Sequence, residues 1–392
     1  MTLPSPPFQL STPWRWHNPV SIQFGRGVRQ QIPQRLPGAA CLVVSSARGR
    51  QQLSTDPLLA AWVRRAPLIW VDNIRANPDL RDLQRCIDSL ERQHFDAVIA
   101  YGGGSVIDAA KVLTIALAEP CRGLSLHGLL TNPERYDAAQ PKPLFAVPTT
   151  SGTGSEVTPF ATVWDHQQQR KYSLTGPAVF PHTAWIDPEL TDTVPLDVTL
   201  ATGLDAINQA AESIWNRHAS AMTLNLATRA LQLGFAALPP LIQQHAPALR
   251  YRECMAEASL LAGLAISQTR TALCHSISYP LTAHFGVPHG LACAFTMPAV
   301  LRHNLPAEDG RFAHLACAVL GPTARPDDLL PVFDQLHHNL EVRERVRRYI
   351  PSWSALLDLA PEMITPGRAD NVLAGLEADS VEKILRGAWQ SI

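Results

Sequence analysis

The segment 96–118, DAVIAYGGGSVIDAAKVLTIALA, constrains this chain more than any other. Asp96–Tyr101 is a short apolar run with strand character, three glycines follow, and Ser105–Ala118 has helical character. A strand that turns directly into a helix is half of a βαβ unit, and such units build parallel sheets. Apolar runs at Ala40–Ser45, Pro67–Val71 and Leu144–Pro148, with a helical stretch at Asp79–Gln93, repeat the alternation. Beyond about Pro188 strand signals fade. Helical patterns take over at Ala201–His218, Ala221–Ala237, Tyr251–Thr269, Ala313–Leu320, Leu329–Leu340, Ser352–Ala360 and Ser380–Gln390. The Asp- and Pro-rich stretch Asp187–Asp197 suits a boundary. The expectation is an α/β domain over 1–190 and an all-helical domain over 191–392.

Composition supports two domains and removes several functions. A chain of 392 residues, 46% of them hydrophobic, can fill two cores. Lys and Arg number 33 against 34 Asp and Glu, so no net field draws nucleic acid or an anionic membrane. Any anion must be recognised locally. No run reaches the ~18 apolar residues of a membrane span. The opening residues MTLPSPPFQLSTPWRW have no basic stretch leading into an apolar one, so no secretory signal is read there. Seven cysteines are scattered without a CxxC spacing, which reads as reduced thiols in a cytoplasmic protein, most of them small core residues.

Two loops could carry ligand chemistry. In Gly102-Gly103-Gly104-Ser105 the missing side chains let a ligand approach backbone N–H groups at a helix start, a place suited to pyrophosphate. The spacing is neither GxGxxG nor a P-loop, and the residues alone are equally a tight turn. Pro148-Thr149-Thr150-Ser151-Gly152-Thr153-Gly154-Ser155-Glu156 follows another strand. Hydroxyls and glycines at a strand's carboxyl end suit a dinucleotide, though a solvated turn has the same composition. In the second half, Asp205 and Gln209 are four apart in a helical pattern and share a face. His275 and His289 follow. A carboxylate and two imidazoles suit Zn²⁺ or Fe²⁺, although each histidine by itself is more often a hydrogen-bonded packing residue.

Taken in order, these pieces resemble the iron-containing alcohol dehydrogenase family along nearly the whole chain. The matching residues are Asn18-Pro19, Phe24-Gly25-Arg26-Gly27, Asn77-Pro78, GGGSVIDAAK at 102–111 and PTTSGTGSEVT at 148–158. Ile186-Asp187-Pro188, Ala201–Ala206, His275–Pro280 and His289-Gly290 continue the match. The resemblance implies a Rossmann-like, parallel-sheet dinucleotide-binding domain followed by a helical metal-binding domain. It implies hydride transfer between NADH or NADPH and an aldehyde or ketone, with Fe²⁺, Zn²⁺ or another divalent ion polarising the carbonyl. A cytoplasmic homo-oligomer, a dimer, is expected. The implied cofactor-binding residues are Ser46, Gly102, Gly103, Gly104, Ser105, Asp108, Thr149, Thr150, Thr153 and Ser155. The implied metal residues are Asp205, Gln209, His275 and His289.

Three positions depart from the family pattern. Gln209 stands where a ligand histidine is usual, and either coordinates through its amide oxygen or points at substrate. Tyr279 replaces a histidine near the nicotinamide and either relays a proton or shapes the pocket. Ser46, with Arg48 and Arg50 nearby, replaces an acidic residue that binds the adenine ribose, which would permit NADPH. SQTRTALCHSISYPLTAHFGVPHGLACA looks like the subgroup tied to phosphonate metabolism. That likeness implies reduction of phosphonoacetaldehyde to 2-hydroxyethylphosphonate. Arg270 and Lys171 are the cations expected at an anionic head group, with Tyr279 the third catalytic candidate. General aldehyde, alcohol or diol turnover is the alternative, and a non-catalytic, cofactor-binding relative is a further one.

Overall fold

The computed structural model describes residues 13–244 and 248–390. The opening residues 1–12, part of the stretch read as lacking a secretory signal, lie outside them. The described residues form two compact units, Asn18–Pro195 and one running from Leu196 to Gln390 that also takes in residues 13–17.

The first unit is built on a six-stranded parallel sheet. Its strands are β1 (Ser21–Phe24), β2 (Cys41–Ser45), β3 (Leu68–Val71), β4 (Ala97–Gly102), β5 (Leu144–Pro148) and, after a hairpin, β8 (Thr183–Ile186). The hairpin is β6 (Phe160–Asp165) with β7 (Arg170–Thr175), antiparallel and separate from the main sheet. The spatial order is β1-β8-β5-β4-β2-β3. Alternate residues fill two cores. Leu42, Val44, Val98, Ala100 and Ala146 belong to one, and Cys41, Val43, Ile99, Tyr101 and Val147 to the other. Both faces are therefore covered, as a parallel sheet requires. Helices α1 (Ala47–Thr55), α2 (Leu80–Leu90) and α3 (Gly104–Ala116) follow β2, β3 and β4. The strand order reverses direction between β2 and β4, the place where doubly wound sheets bind ligands.

The second unit is helical. Helix α4 (Leu196–Ile214) is buried along most of its length, and α5 (Ala221–Ile242) and α6 (Ala248–Thr269) pack beside it. Next come α7 (Leu273–Phe285) and α8 (His289–Phe295), then α9 (Met297–Asn304) and further helices to Gln390. Among the described residues no helix is long and apolar enough to cross a membrane.

The parallel α/β half and helical half agree with the expected class, but several elements differ. Strands β1, β6, β7 and β8 and helices α7 and α8 were not anticipated. Each is short, or interrupted by polar residues or Pro280, so its pattern is weak without its neighbours. Helix α5 was expected to end at Ala237 and instead continues through Pro239 and Pro240. Leu238 and Leu241 are buried in this last turn, and their packing offsets the backbone hydrogen bonds that proline cannot donate.

Candidate metal centre and cofactor loops

The helical unit brings Asp205, His275, His289 and Cys293 together, with one donor atom from each inside a 4.8 Å cluster. Asp205 comes from the middle of α4. His275 is in the first turn of α7. His289 is the first residue of α8, and Cys293 lies one turn later on the same helix. Gly290 allows this meeting. A Cβ there would lie 1.8 Å from the Ala201 carbonyl oxygen and 2.9 Å from the Asp205 Cβ. Backbone contact between α8 and α4 thus needs glycine, and that contact carries His289 to Asp205.

Glu212 determines how His275 presents itself. This carboxylate is fully buried on α4, seven residues after Asp205. It accepts from the backbone N–H groups of Ala272 (2.8 Å), Cys274 (2.6 Å) and His275 (3.2 Å), and its Oε2 lies 2.7 Å from His275 Nδ1. Three backbone N–H donors already converge on this carboxyl group, which accepts from all of them, and Nδ1 is the fourth donor to it. Nε2 is left facing Asp205 Oδ1 at 3.4 Å. That oxygen is buried and makes no hydrogen bond, and neither does the buried Oε1 of Gln209. A cation between this imidazole nitrogen and the unpartnered carboxylate oxygen would satisfy both. A divalent ion fits this donor set.

The electrostatics agree. Burial works against ionising Asp205, but the neighbouring imidazoles of His275 and His289 outweigh it and hold the carboxyl below its ordinary value. Burial would raise the Cys293 thiol, yet the fields of His275 and His289 bring it down to about 7. Its Sγ lies 3.7 Å from His289 Nε2. Tyr279, half-buried on α7, lies nearly parallel to the His289 ring, at 9° with centroids 6.2 Å apart. Arg270 is exposed in the α6–α7 connection, and its guanidinium makes no hydrogen bond or ion pair among the described residues. Its φ of 63° is left-handed, and its carbonyl accepts from Asn216 Nδ2 and Thr269 Oγ1.

In the α/β unit the expected cofactor residues gather at the carboxyl ends of β2, β4 and β5. The two glycine-bearing loops pack on each other. A Cβ on Gly104 would meet Thr153 at 2.4 Å, and one on Gly103 would meet Thr150 at 3.0 Å. Thr149 N–H donates to the Gly102 carbonyl. Gly103 caps the 13-residue α3 without a side chain, so the helix start stays open. Other expected residues are occupied locally. Ser155 Oγ donates to Asp108 Oδ1 (2.5 Å), whose other oxygen accepts from Thr162 N–H. Ser105 Oγ accepts from Asn77 N–H, and Ser46 caps α1 by accepting from Gly49 N–H. Lys171 lies on β7 opposite Trp164, and its charge reaches Asp108.

Glu212 and Cys293 escaped the sequence reading. Spacing carried a signal for both: Glu212 follows Asp205 by seven residues and Cys293 follows His289 by four, each pair on one helix face. Without its neighbours, Cys293 is one of seven scattered cysteines, most of which read as small core residues.

Two family models match the chain. "Iron-containing alcohol dehydrogenase" covers residues 19–188, and "Fe-containing alcohol dehydrogenase family, C-terminal" covers 199–385. A phosphonoacetaldehyde reductase of Streptomyces viridochromogenes is 41% identical over 220 residues, 55% of each protein. The chain thus matches little more than half the length of that relative. The 1-propanol dehydrogenase PduQ of Salmonella typhimurium is 32% identical over 72% of each chain. Among solved structures, sulfoacetaldehyde reductase from Bifidobacterium kashiwanohense in complex with NAD+ superimposes with a TM-score of 0.86. It has 26% identity and covers 97% of this chain and all of its own.

Proposed function

The chain belongs to the iron-containing alcohol dehydrogenase family, and from that membership we propose that it is a metal-dependent, NAD(P)H-linked aldehyde reductase. We assign phosphonoacetaldehyde as its substrate and 2-hydroxyethylphosphonate as its product. The observation that carries the reading is the meeting of buried Asp205 and His275 with half-buried His289, with Glu212 orienting His275 toward Asp205. When bound, a divalent ion polarises the aldehyde carbonyl and the reduced nicotinamide supplies the hydride. Asp205, His275 and His289 hold the ion. Gln209 presents its amide oxygen from the same face of α4, and Glu212 keeps His275 in the required tautomer. The open start of α3 and the Thr150–Thr153 loop take the dinucleotide pyrophosphate, and Ser46 faces its ribose. Tyr279 is assigned as the group that passes a proton to the product hydroxyl.

The substrate assignment draws on Arg270 and on the names of the relatives. Two of them are named for aldehydes with an anionic head group, a phosphonate and a sulfonate. A left-handed non-glycine backbone stores strain, and here it presents a guanidinium with no partner among the described residues, five residues before His275. With a net charge of −1 the chain offers no general attraction for such an anion. Lys171 is the corresponding cation of the α/β unit.

A substrate panel tests the reading, run on metal-reconstituted enzyme with NADH and NADPH. A charge-assisted hydrogen bond contributes roughly 1.5–3 kcal/mol. Arg270→Ala should therefore lower kcat/KM for phosphonoacetaldehyde by roughly ten- to hundred-fold and leave propanal nearly unchanged. Propanal as the better wild-type substrate would remove the phosphonate assignment and favour an alcohol dehydrogenase of the PduQ kind.

A further inference from the structure

We infer that Cys293 is a metal ligand, completing an Asp205–His275–His289–Cys293 donor set that selects Zn²⁺ or another thiophilic ion over Fe²⁺. The inference rests on the metal dependence proposed above and adds a ligand to it. Four donor atoms within 4.8 Å of one another come from three helices, and α8 supplies two of them, one turn apart. Around a tetrahedral ion with ligand distances of roughly 2.0–2.3 Å, donor atoms stand roughly 3.3–3.6 Å apart. The observed 3.4 Å between His275 Nε2 and Asp205 Oδ1, and 3.7 Å between Cys293 Sγ and His289 Nε2, are close to that spacing.

A second observation points to a ligand independently of the cysteine. Asp205 is 3% exposed and its Oδ1 has no hydrogen-bond partner, although it lies in the cluster. A filled site satisfies that oxygen and gives the thiol a partner other than imidazole edges. The chemistry is also asymmetric. Gln209 offers a hard, neutral amide oxygen, whereas a thiolate is a soft anionic donor. Carboxylate, imidazole and thiolate are each zinc ligands, and the thiolate is the soft one among them. Binding converts the thiol to thiolate as the sulfur–metal bond forms, and the displaced proton leaves to solvent.

Cobalt(II) substitution of the full chain reads this directly, because thiolate coordination to cobalt produces a near-ultraviolet charge-transfer band. The wild type should show the band. Cys293→Ser should lose it, and its Zn²⁺ Kd should rise by about tenfold or more. Cys274→Ser, which alters a neighbouring buried thiol, should keep the band. Thermal melts of the metal-free variants establish that each is folded, and Cys293→Ala gives a second route if Ser does not fold. Tight cobalt binding that needs His289 but shows no thiolate band, with Kd unchanged in Cys293→Ser, would overturn the cysteine assignment and leave the metal reading intact. Absence of any metal binding by the wild type would overturn both.

Discussion

Glu212 touches no expected ligand position except through His275, yet its four hydrogen bonds orient that imidazole. Gln in its place keeps the volume but replaces one accepting oxygen by a donor that faces other donors. Glu212→Gln should destabilise the fold by roughly 2–4 kcal/mol and raise the metal Kd by about 10–100-fold. Chelator competition on the folded variant measures this, and an unchanged Kd would show that His275 is oriented by something else. Ser46 poses a different test because it already has a local role as the N-cap of α1. Asp caps a helix as well as Ser does, so Ser46→Asp leaves α1 intact while adding a carboxylate at the expected ribose position. The kcat/KM ratio should move from NADPH toward NADH. Of the nearby arginines, Arg50 is committed to Asp72 at 2.6 Å and to the Trp70 ring, and Arg48 donates to the Thr193 carbonyl. An unmoved ratio would mean that position 46 does not meet the ribose.

At the scale of elements, two helices and two loops are set by glycines that have no unusual dihedral angle. None of Gly102, Gly103, Gly104 or Gly290 has a positive φ; what they provide is room. At Gly290 the obstacle is the backbone of α4, which cannot rotate aside as a side chain can. Gly290→Ala must therefore push α8 off α4 and separate His289 from Asp205. Overpacking of this kind costs about 1–3 kcal/mol. The variant should melt lower and bind metal far more weakly. Retention of wild-type metal content would show that α8 can shift without opening the cluster. In the α/β unit Gly103 and Gly104 make room for Thr150 and Thr153 of the next loop. Lys111 explains another part of the motif: its ammonium donates to the carbonyls of Thr158 and Phe160, both at 2.8 Å, and thus fastens the loop to α3.

For the whole molecule, several motifs that read as functional turn out to hold the α/β unit together. Asp187 of the Ile186-Asp187-Pro188 match accepts from Gly27 N–H and from the Arg29 guanidinium, so two distant motifs meet in one buried contact. Glu156 ends the PTTSGTGSE loop almost fully buried, and burial pushes its carboxyl up from 4.5 to about 7. The folded state holds that proton more tightly than the unfolded one. This contribution is complete below about pH 4.5 and is lost as pH rises to 7. Glu156→Gln cannot titrate, so it should be worth roughly 1–3 kcal/mol relative to wild type above pH 7 and little near pH 4.5. Melting midpoints across that range measure it, and a constant difference would refute the burial argument. The sequence by itself determined the parallel α/β half, the helical half and the glycine loops, and it singled out three of the four side chains, Asp205, His275 and His289, that the fold brings together with Cys293. Those signals are local: strand alternation, helical spacing and a glycine run are all expressed within a few residues. The tertiary structure alone decided the edge strand β1, the hairpin, the placement of Glu212 behind His275, and Cys293 beside His289 and Asp205. Those depend on separate segments closing on one another, and at the cluster on two helices meeting over a missing Cβ, a distance that no periodicity along the chain encodes.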